Sequence, residues 1–470
     1  MEEDLYKDYL VLNPESASFF DLVRILCFPS HSLKELDFID VQETKNLNGL
    51  RRRWLIFVSL LVQKILIKIK NPMALVGTLL ETWLNLLSIN GGLLYLLLNF
   101  ITGKVIKAPD PSSAEFSSII AFIDPRVKLD KNIENTDNLY KPALSLMAAK
   151  LSYENEASIQ NVVQNVWKME YLGFFDCWDD YLEKSSTQAM MFKDTSSSPN
   201  TIVIAFRGTS PFLVDDWRTD VDFSWYNLYG VGKVHGGFMK ALGLQKNSGW
   251  PKEISMGTSD KHYAYYDIRQ KLKELLQENE NAKFIVTGHS LGASLAILFA
   301  GVLMFHEEEE LLKRLDGVYT FGQPRVGNKK FGDYMMTRML KYNVKYFRYV
   351  YCNDVVCRMP YDDNSLMFKH FGSCLYFNSL YGGEVREEEP NKNYFSPLWA
   401  IPMVLNAIWE LIRSFLLPMV KGKEFDESWF CRFLRTTAIL FPGLSNHSPQ
   451  DYGNLTRLGS LQFQHIKKNE

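Results

Sequence analysis

Gly288-His289-Ser290-Leu291-Gly292 is the stretch whose residue types and spacing most directly suggest chemistry. A serine with glycine two residues away on either side can occupy a strained turn between a strand and a helix, its hydroxyl exposed at the helix N-terminus. That placement suits an acyl-transfer nucleophile. Phe284, Ile285 and Val286 before it form a short apolar run suited to a buried strand, and Ala293 to Ala300 after it is an apolar run of good helix formers. Outside such a context Ser290 would be an ordinary loop serine. Attack on an acyl carbon also needs donors for the oxyanion that develops. The backbone N–H of Leu291, directly after the serine, is one candidate. Thr209 is the other: it stands at the carboxyl end of the β-branched and aromatic run Thr201 to Phe206, just past Gly208, and offers both N–H and O–H. Its structural alternative is a strand-end turn threonine.

These residues need a scaffold, and the spacing predicts one. Strands are expected at Thr201 to Phe206, Phe284 to Val286, Gly317 to Gly322 and Val344 to Tyr351, with helices at Tyr265 to Asn281, Ala293 to Ala300 and Lys329 to Lys341. This alternation predicts an α/β fold, a mostly parallel sheet with helices on both faces. Reactive groups in such sheets collect at the carboxyl ends of the strands. That filter selects Asp354, after Val344 to Tyr351, as the acid. Asp316 lies at the start of its strand, and Asp362 and Asp363 lie deeper in a polar loop.

A strand–elbow–helix on a parallel sheet is the arrangement of α/β-hydrolases, in which the base follows the acid in the chain. His370, His447 and His465 remain. His370 leaves little chain to depart and return, and His465 sits in a polar tail, so His447 is the candidate base; its alternative is a loop histidine. His235 precedes Ser290 and is read as structural. The aromatic and acidic segment Ser210 to Tyr226 reads as a lid, or else as an ordinary packed helix.

The chain of 470 residues is long enough for a sizeable core, and its net charge of −2 gives no reason to expect nucleic acid. Six cysteines without a C-x-x-C pair suggest free thiols in a reducing compartment. The acidic first residues fit neither a secretory signal nor a transit peptide. Residues 1–50 carry no assignable chemistry. Arg51-Arg52-Arg53 then opens an apolar region to about residue 107. Trp54 to Ile69 and Met73 to Ile101 are separated by Asn71-Pro72, and Glu81 is the only charge in the second run. With basic residues on both flanks and a turn offered by Gly91-Gly92, 51–107 reads as a re-entrant or interfacial lipid-associating segment; a buried helix pair is the alternative. Residues 108–140 read as a linker. The stretch between Asp354 and His447 contains an insertion, about 376–435, whose apolar part Pro397 to Val420 reads equally as an interface-binding surface or a core helix.

Taken together, Phe206-Arg207-Gly208-Thr209, the elbow, Thr320-Phe321-Gly322-Gln323-Pro324-Arg325-Val326-Gly327, Asn353-Asp354 and His447 resemble the class 3 triacylglycerol lipases across roughly 140–465. The resemblance implies an α/β-hydrolase domain over 141–470, with Ser290 as nucleophile, Asp354 as acid, His447 as base, and Thr209 with Leu291 as oxyanion donors. The basic-flanked apolar region and Ser445-Asn446-His447-Ser448-Pro449-Gln450-Asp451-Tyr452 are most similar to the plant oil-body lipases. That subgroup implies acylglycerol substrates and a lipid-droplet surface as partner; with no metal-ligand cluster or phosphate-binding glycine loop in the sequence, no cofactor is expected. The alternatives are a phospholipase or galactolipase, or an inactive protein that coats lipid droplets.

Overall fold

The computed structural model describes residues 6–27, 33, 36–42, 49–246, 249–254, 261–362, 368–394 and 396–462. His465 and Asp363 lie outside them. A nine-stranded sheet runs in the spatial order Ser460–Gln462, Gly382–Arg386, Cys374–Phe377, Lys345–Tyr351, Leu315–Phe321, Lys283–His289, Thr201–Phe206, Lys184–Asp194, Glu170–Asp179. The strands from Cys374–Phe377 to Thr201–Phe206 are mutually parallel, and antiparallel neighbours flank them on both sides.

The sequence of the central strands explains their position. A strand buried on both faces reads as a continuous apolar run, as Thr201–Phe206 does. Ile202, Ile204, Phe206, Phe284 and Val286 pack on one face with the helix Leu291–Phe305, and Val203, Ala205 and Ile285 on the other with the helix Tyr140–Leu151. The elbow helix Leu291–Phe305 is buried along nearly its whole length, which accounts for its all-round apolar composition.

The described residues among the first fifty, silent chemically, are structural. Tyr6–Leu12 pairs antiparallel with Ile39–Gln42 and with Trp225–Leu228 in a second, six-stranded sheet. Leu10, Leu12, Leu22 and Ile25 bury against Leu55, Ile56 and Leu60 of the next helix and against Phe223 and Trp225.

That helix changes the expected organisation of the apolar region. It runs unbroken from Leu50 to Ile89 through Pro72, where the sequence suggests an interruption. An internal proline costs about 3 kcal/mol in a helix, but here Lys70 just before it pairs with Asp215 at 2.9 Å and Gly77 just after it packs against Phe212. The first half of the helix is protein core, with Leu55, Ile56, Ser59, Leu60 and Gln63 buried. Exposed apolar side chains dominate only further along, at Leu75, Val76, Leu79 and Trp83. At Gly91-Gly92 both φ angles are positive, and the next helix, Leu93–Ile101, is turned by 75°, a bend rather than a reversal.

Residues 108–140 are more than a linker. Ile119, Ile120 and Ile123 bury against Cys431, with Leu80 and Leu84 of the long helix packed on them, and buried Asp124 bonds Arg126 at 2.7 Å. The insertion likewise begins inside the sheet. Cys374–Phe377 and Gly382–Arg386 are sheet strands, followed by the helices Pro397–Lys421 and Trp429–Ala438.

Candidate active site

Ser290 stands between the strand Lys283–His289 and the helix Leu291–Phe305 with φ 60° and ψ −131°. A non-glycine residue held there stores strain of order 1–3 kcal/mol. The two glycines of the motif allow the crossing that creates it. A Cβ on Gly288 would run into the backbone of Gly292, and one on Gly292 into the carbonyl of Phe206.

Asp354 follows the strand Lys345–Tyr351 and is fully buried, while His447 ends a short turn of helix, Ser445–His447. Across 93 residues of chain, His447 Nδ1 lies 2.8 Å from Asp354 Oδ2. Tyr452 donates its hydroxyl to the same oxygen at 2.6 Å, and the Val356 N–H donates to Oδ1 at 2.8 Å. Burial alone would raise the Asp354 pKa. His447 beside it and these hydrogen bonds outweigh burial and hold it below the usual carboxylate range. The carboxylate is therefore an anion that fixes the proton of His447 on Nδ1. The opposite nitrogen, Nε2, is buried and has no hydrogen-bond partner among the described residues.

His447 and Ser290 line one cavity of about 360 Å³, whose walls are mostly apolar and include Ile120, Ile123, Trp217, Leu434 and Phe441. Leu291 is the first residue of the elbow helix. A helix leaves its first N–H groups unpaired and carries partial positive charge at that end, so this N–H suits a developing anion. Thr209 borders the same cavity, but its hydroxyl already donates to Asp220 Oδ2 at 2.7 Å. Burial pushes the Asp220 pKa up to about 7; the Thr209 bond opposes the rise and Asp216 adds to it.

The segment expected to be a lid contains the helix Val214–Val221. Val214, Asp215, Asp216 and Thr219 are buried, and Trp217 faces the cavity. Asp216 accepts from the Ser210 N–H at 2.9 Å and pairs with Arg207 at 3.2 Å, which ties this helix to the Thr209 loop.

The other candidates fall elsewhere. Asp316 pairs with Lys141 at 2.7 Å at the opposite edge of the sheet, and Asp362 with Lys392 at 2.8 Å. His370 Nε2 lies 2.7 Å from the Cys357 carbonyl. His235 caps the helix Gly236–Leu242 by accepting from the Phe238 N–H, and burial pulls its pKa down to about 4.

Sequence reasoning missed four residues that touch the site: Asp220, Tyr452, His289 and Tyr153. The His289 ring stacks on that of His447 with centroids 4.5 Å apart, and its Nε2 is 3.0 Å from the His447 carbonyl. Burial and then His447 pull its pKa down to about 3. A neutral ring bonded to a carbonyl must carry its proton on Nε2, so the Tyr153 hydroxyl, 3.0 Å from Nδ1, donates. His289 was visible inside the elbow motif; Tyr153, 136 positions away, had no sequence signal.

The insertion meets the site through buried charge. Glu410 accepts from Asn446, the neighbour of His447, at 2.6 Å through each oxygen. Arg413 pairs with Asp451 at 2.6 Å, and Arg435 bonds Glu427 at 2.6 Å and Asp451 at 3.0 Å.

Residues 203–364 match the family model for Lipase (class 3). Triacylglycerol lipase OBL1 of Nicotiana tabacum is 42% identical over 87% of this chain and 84% of its own length. Triacylglycerol lipase OBL1 of Arabidopsis thaliana is 39% identical over 96% of this chain and 95% of its own. A solved Rhizomucor miehei lipase propeptide complex is similar at 23% identity, with a TM-score of 0.39, over 52% of this chain and 68% of that one.

Proposed function

The chain belongs to the class 3 lipases, which makes it a carboxylic-ester hydrolase, and on that premise we propose that it cleaves triacylglycerol with Ser290 as nucleophile, His447 as base and Asp354 as the orienting acid. The observation that carries this reading is the apolar cavity that ends at Ser290 and His447, with Asp354 bonded to the far side of the imidazole. His447 Nε2 takes the Ser290 proton as Oγ attacks the ester carbon. The tetrahedral oxyanion is held by the Leu291 N–H and by Thr209. Collapse releases the diacylglycerol alcohol, protonated by His447, and leaves an acyl-enzyme. Water, deprotonated by the same nitrogen, then frees the fatty acid.

The working address in this reading is the cytosolic surface of a lipid droplet. What supports it is apolar surface beside the site: Leu398, Ile401, Leu405, Met419 and Val420 on the insertion helix, and Leu440, Phe441 and Leu444 near the cavity, are exposed. A monolayer over oil gives such side chains an apolar phase to enter.

The test measures fatty-acid release by the full chain and by Ser290→Ala from triolein emulsion, phosphatidylcholine vesicles and galactolipid dispersions. Triolein should be the preferred substrate, with kcat falling by about 10⁴-fold or more in the variant. Preference for the polar lipids would replace triacylglycerol as the substrate, and equal activity of both proteins would remove Ser290 from the mechanism.

A further inference from the structure

The helix Leu50–Ile89 does something that its apolar composition does not require. It lies along the whole lid segment, antiparallel to it. Ser59 Oγ donates to the Val221 carbonyl at 2.6 Å and accepts from the Phe223 N–H at 3.3 Å. Lys70 Nζ is 2.9 Å from Asp215 Oδ2. At Gly77 the fit is closest, because a Cβ there would lie 2.5 Å from Phe212 Cβ and 2.7 Å from Cγ. These contacts span about 27 Å of helix at 1.5 Å per residue, and the partners run from 223 back to 212. On its other side the same lid segment holds the oxyanion loop, through Asp220 to the Thr209 hydroxyl and Asp216 to the Ser210 N–H.

We propose that Leu50–Ile89 is a positioning element of the catalytic centre, and that Gly77 and Ser59 set the place of the lid helix and, through Asp216 and Asp220, the place of the oxyanion donor Thr209. This rests on the reading of Ser290 and Thr209 given above. The geometry requires a glycine at 77. The atom a side chain would meet is the Cβ of Phe212, fixed to the backbone, so relief requires the lid backbone to retreat. Ser59 is a polar group buried in an apolar stretch; besides accepting from Gln63 at 3.2 Å on its own helix, its hydroxyl bonds twice to the far end of the lid. The helix that carries the exposed apolar residues Leu75 and Leu79 thus also braces the active centre.

The test uses the full chain and a dissolved monomeric ester, 4-nitrophenyl butyrate, so that adsorption to lipid plays no part. Gly77→Val is expected to lower kcat about ten-fold or more with KM little changed, since loss of an oxyanion donor costs roughly 10²–10³ in kcat. Adding Phe212→Gly removes both the Cβ and the ring that obstruct it and should restore most of the turnover. Leu75→Asp/Leu79→Asp, on the outward face, should keep turnover of the dissolved ester and lose adsorption to triolein emulsion. Normal kcat in Gly77→Val overturns the proposal, as does a loss that Phe212→Gly fails to rescue or an equal loss in the Leu75/Leu79 variant. Should Gly77→Val not yield folded protein, Ser59→Ala gives the same answer without added bulk, with a several-fold fall in kcat expected and an unchanged kcat fatal. Ser290→Ala run beside them separates the two levels. If that variant hydrolyses the dissolved ester, the site assignment falls; if it is inactive while Gly77→Val is normal, only the brace falls.

Discussion

The helices Leu50–Ile89 and Pro397–Lys421 are both long and apolar, and they bury opposite kinds of surface. The first buries Leu55, Ile56 and Leu60 against a protein core, buries Arg53 and sets half-buried Lys64 on the Pro14 and Ala17 carbonyls, and keeps Lys68 and Lys70 toward the outside. The second is inverted. Its only charges before the terminal Lys421, Glu410 and Arg413, are buried, while Leu398, Ile401, Leu405, Met419 and Val420 are exposed. Buried charges survive only when paired and hydrogen-bonded, and here they are, to Asn446, Tyr351 and Asp451. Hydropathy averaged along a segment does not separate these two cases; the direction in which the charges face does.

The sharpest way to break the comparison is to remove one charge from each helix's contacts. Arg435→Leu leaves Glu427 and Asp451 buried without their shared cation, and should lower the free energy of unfolding in urea by about 3–5 kcal/mol. Lys70→Ala removes a pair whose lysine is 46% exposed, and should cost less than about 1 kcal/mol. Similar losses would mean that the network under the insertion helix is no more demanding than a surface pair.

Adsorption sharpens it next. Ile401→Asp/Leu405→Asp should reduce binding to triolein emulsion about ten-fold or more, since each change withdraws apolar area worth roughly 25 cal/mol per Å². Cleavage of 4-nitrophenyl butyrate should stay as it was. A variant that floats with the emulsion as well as the unchanged protein would make the inverted helix a protein-facing surface.

The last comparison is in pH. The Asp220 pKa is raised to about 7 in the folded protein, against roughly 3.9 for a free aspartate. Between these values the folded state keeps a proton that the unfolded chain has released, so this group's contribution to stability falls as pH rises from about 4 to 7. Asp220→Asn cannot ionise. Its stability relative to the unchanged protein should therefore rise from pH 5 to pH 8 in urea titrations. A constant difference would place the Asp220 ionisation outside that window.

The parts of this molecule that the sequence made legible are those whose signals are local. The elbow shows in five residues because a strand, a strained serine and a helix must follow one another directly, and the carboxyl ends of the strands then narrow the acids to Asp354. The alternating strands and helices from Thr201 to Tyr351 were readable for the same reason. The brace was not. Gly77 is one glycine in an apolar helix until Phe212, 135 positions on, is seen against it, and Pro72 looks like a helix end until packing on either side overrides it. The pairing of Tyr6–Leu12 with Trp225–Leu228 joins segments more than 200 residues apart, which no local pattern encodes. Asp220 reads as one acid among several in a lid segment, and only the folded chain brings it to Thr209.

Chain order adds a consequence in time. His447, and the Asn446, Asp451 and Tyr452 contacts that support its neighbourhood, come after the whole insertion in the direction of synthesis. A chain still emerging from the ribosome displays Ser290 about 157 residues before the proposed base, His447, is made, by the roughly 5–20 residues per second of translation a delay of many seconds. In the proposed mechanism, ester cleavage therefore cannot begin until His447 and the contacts around it have been made.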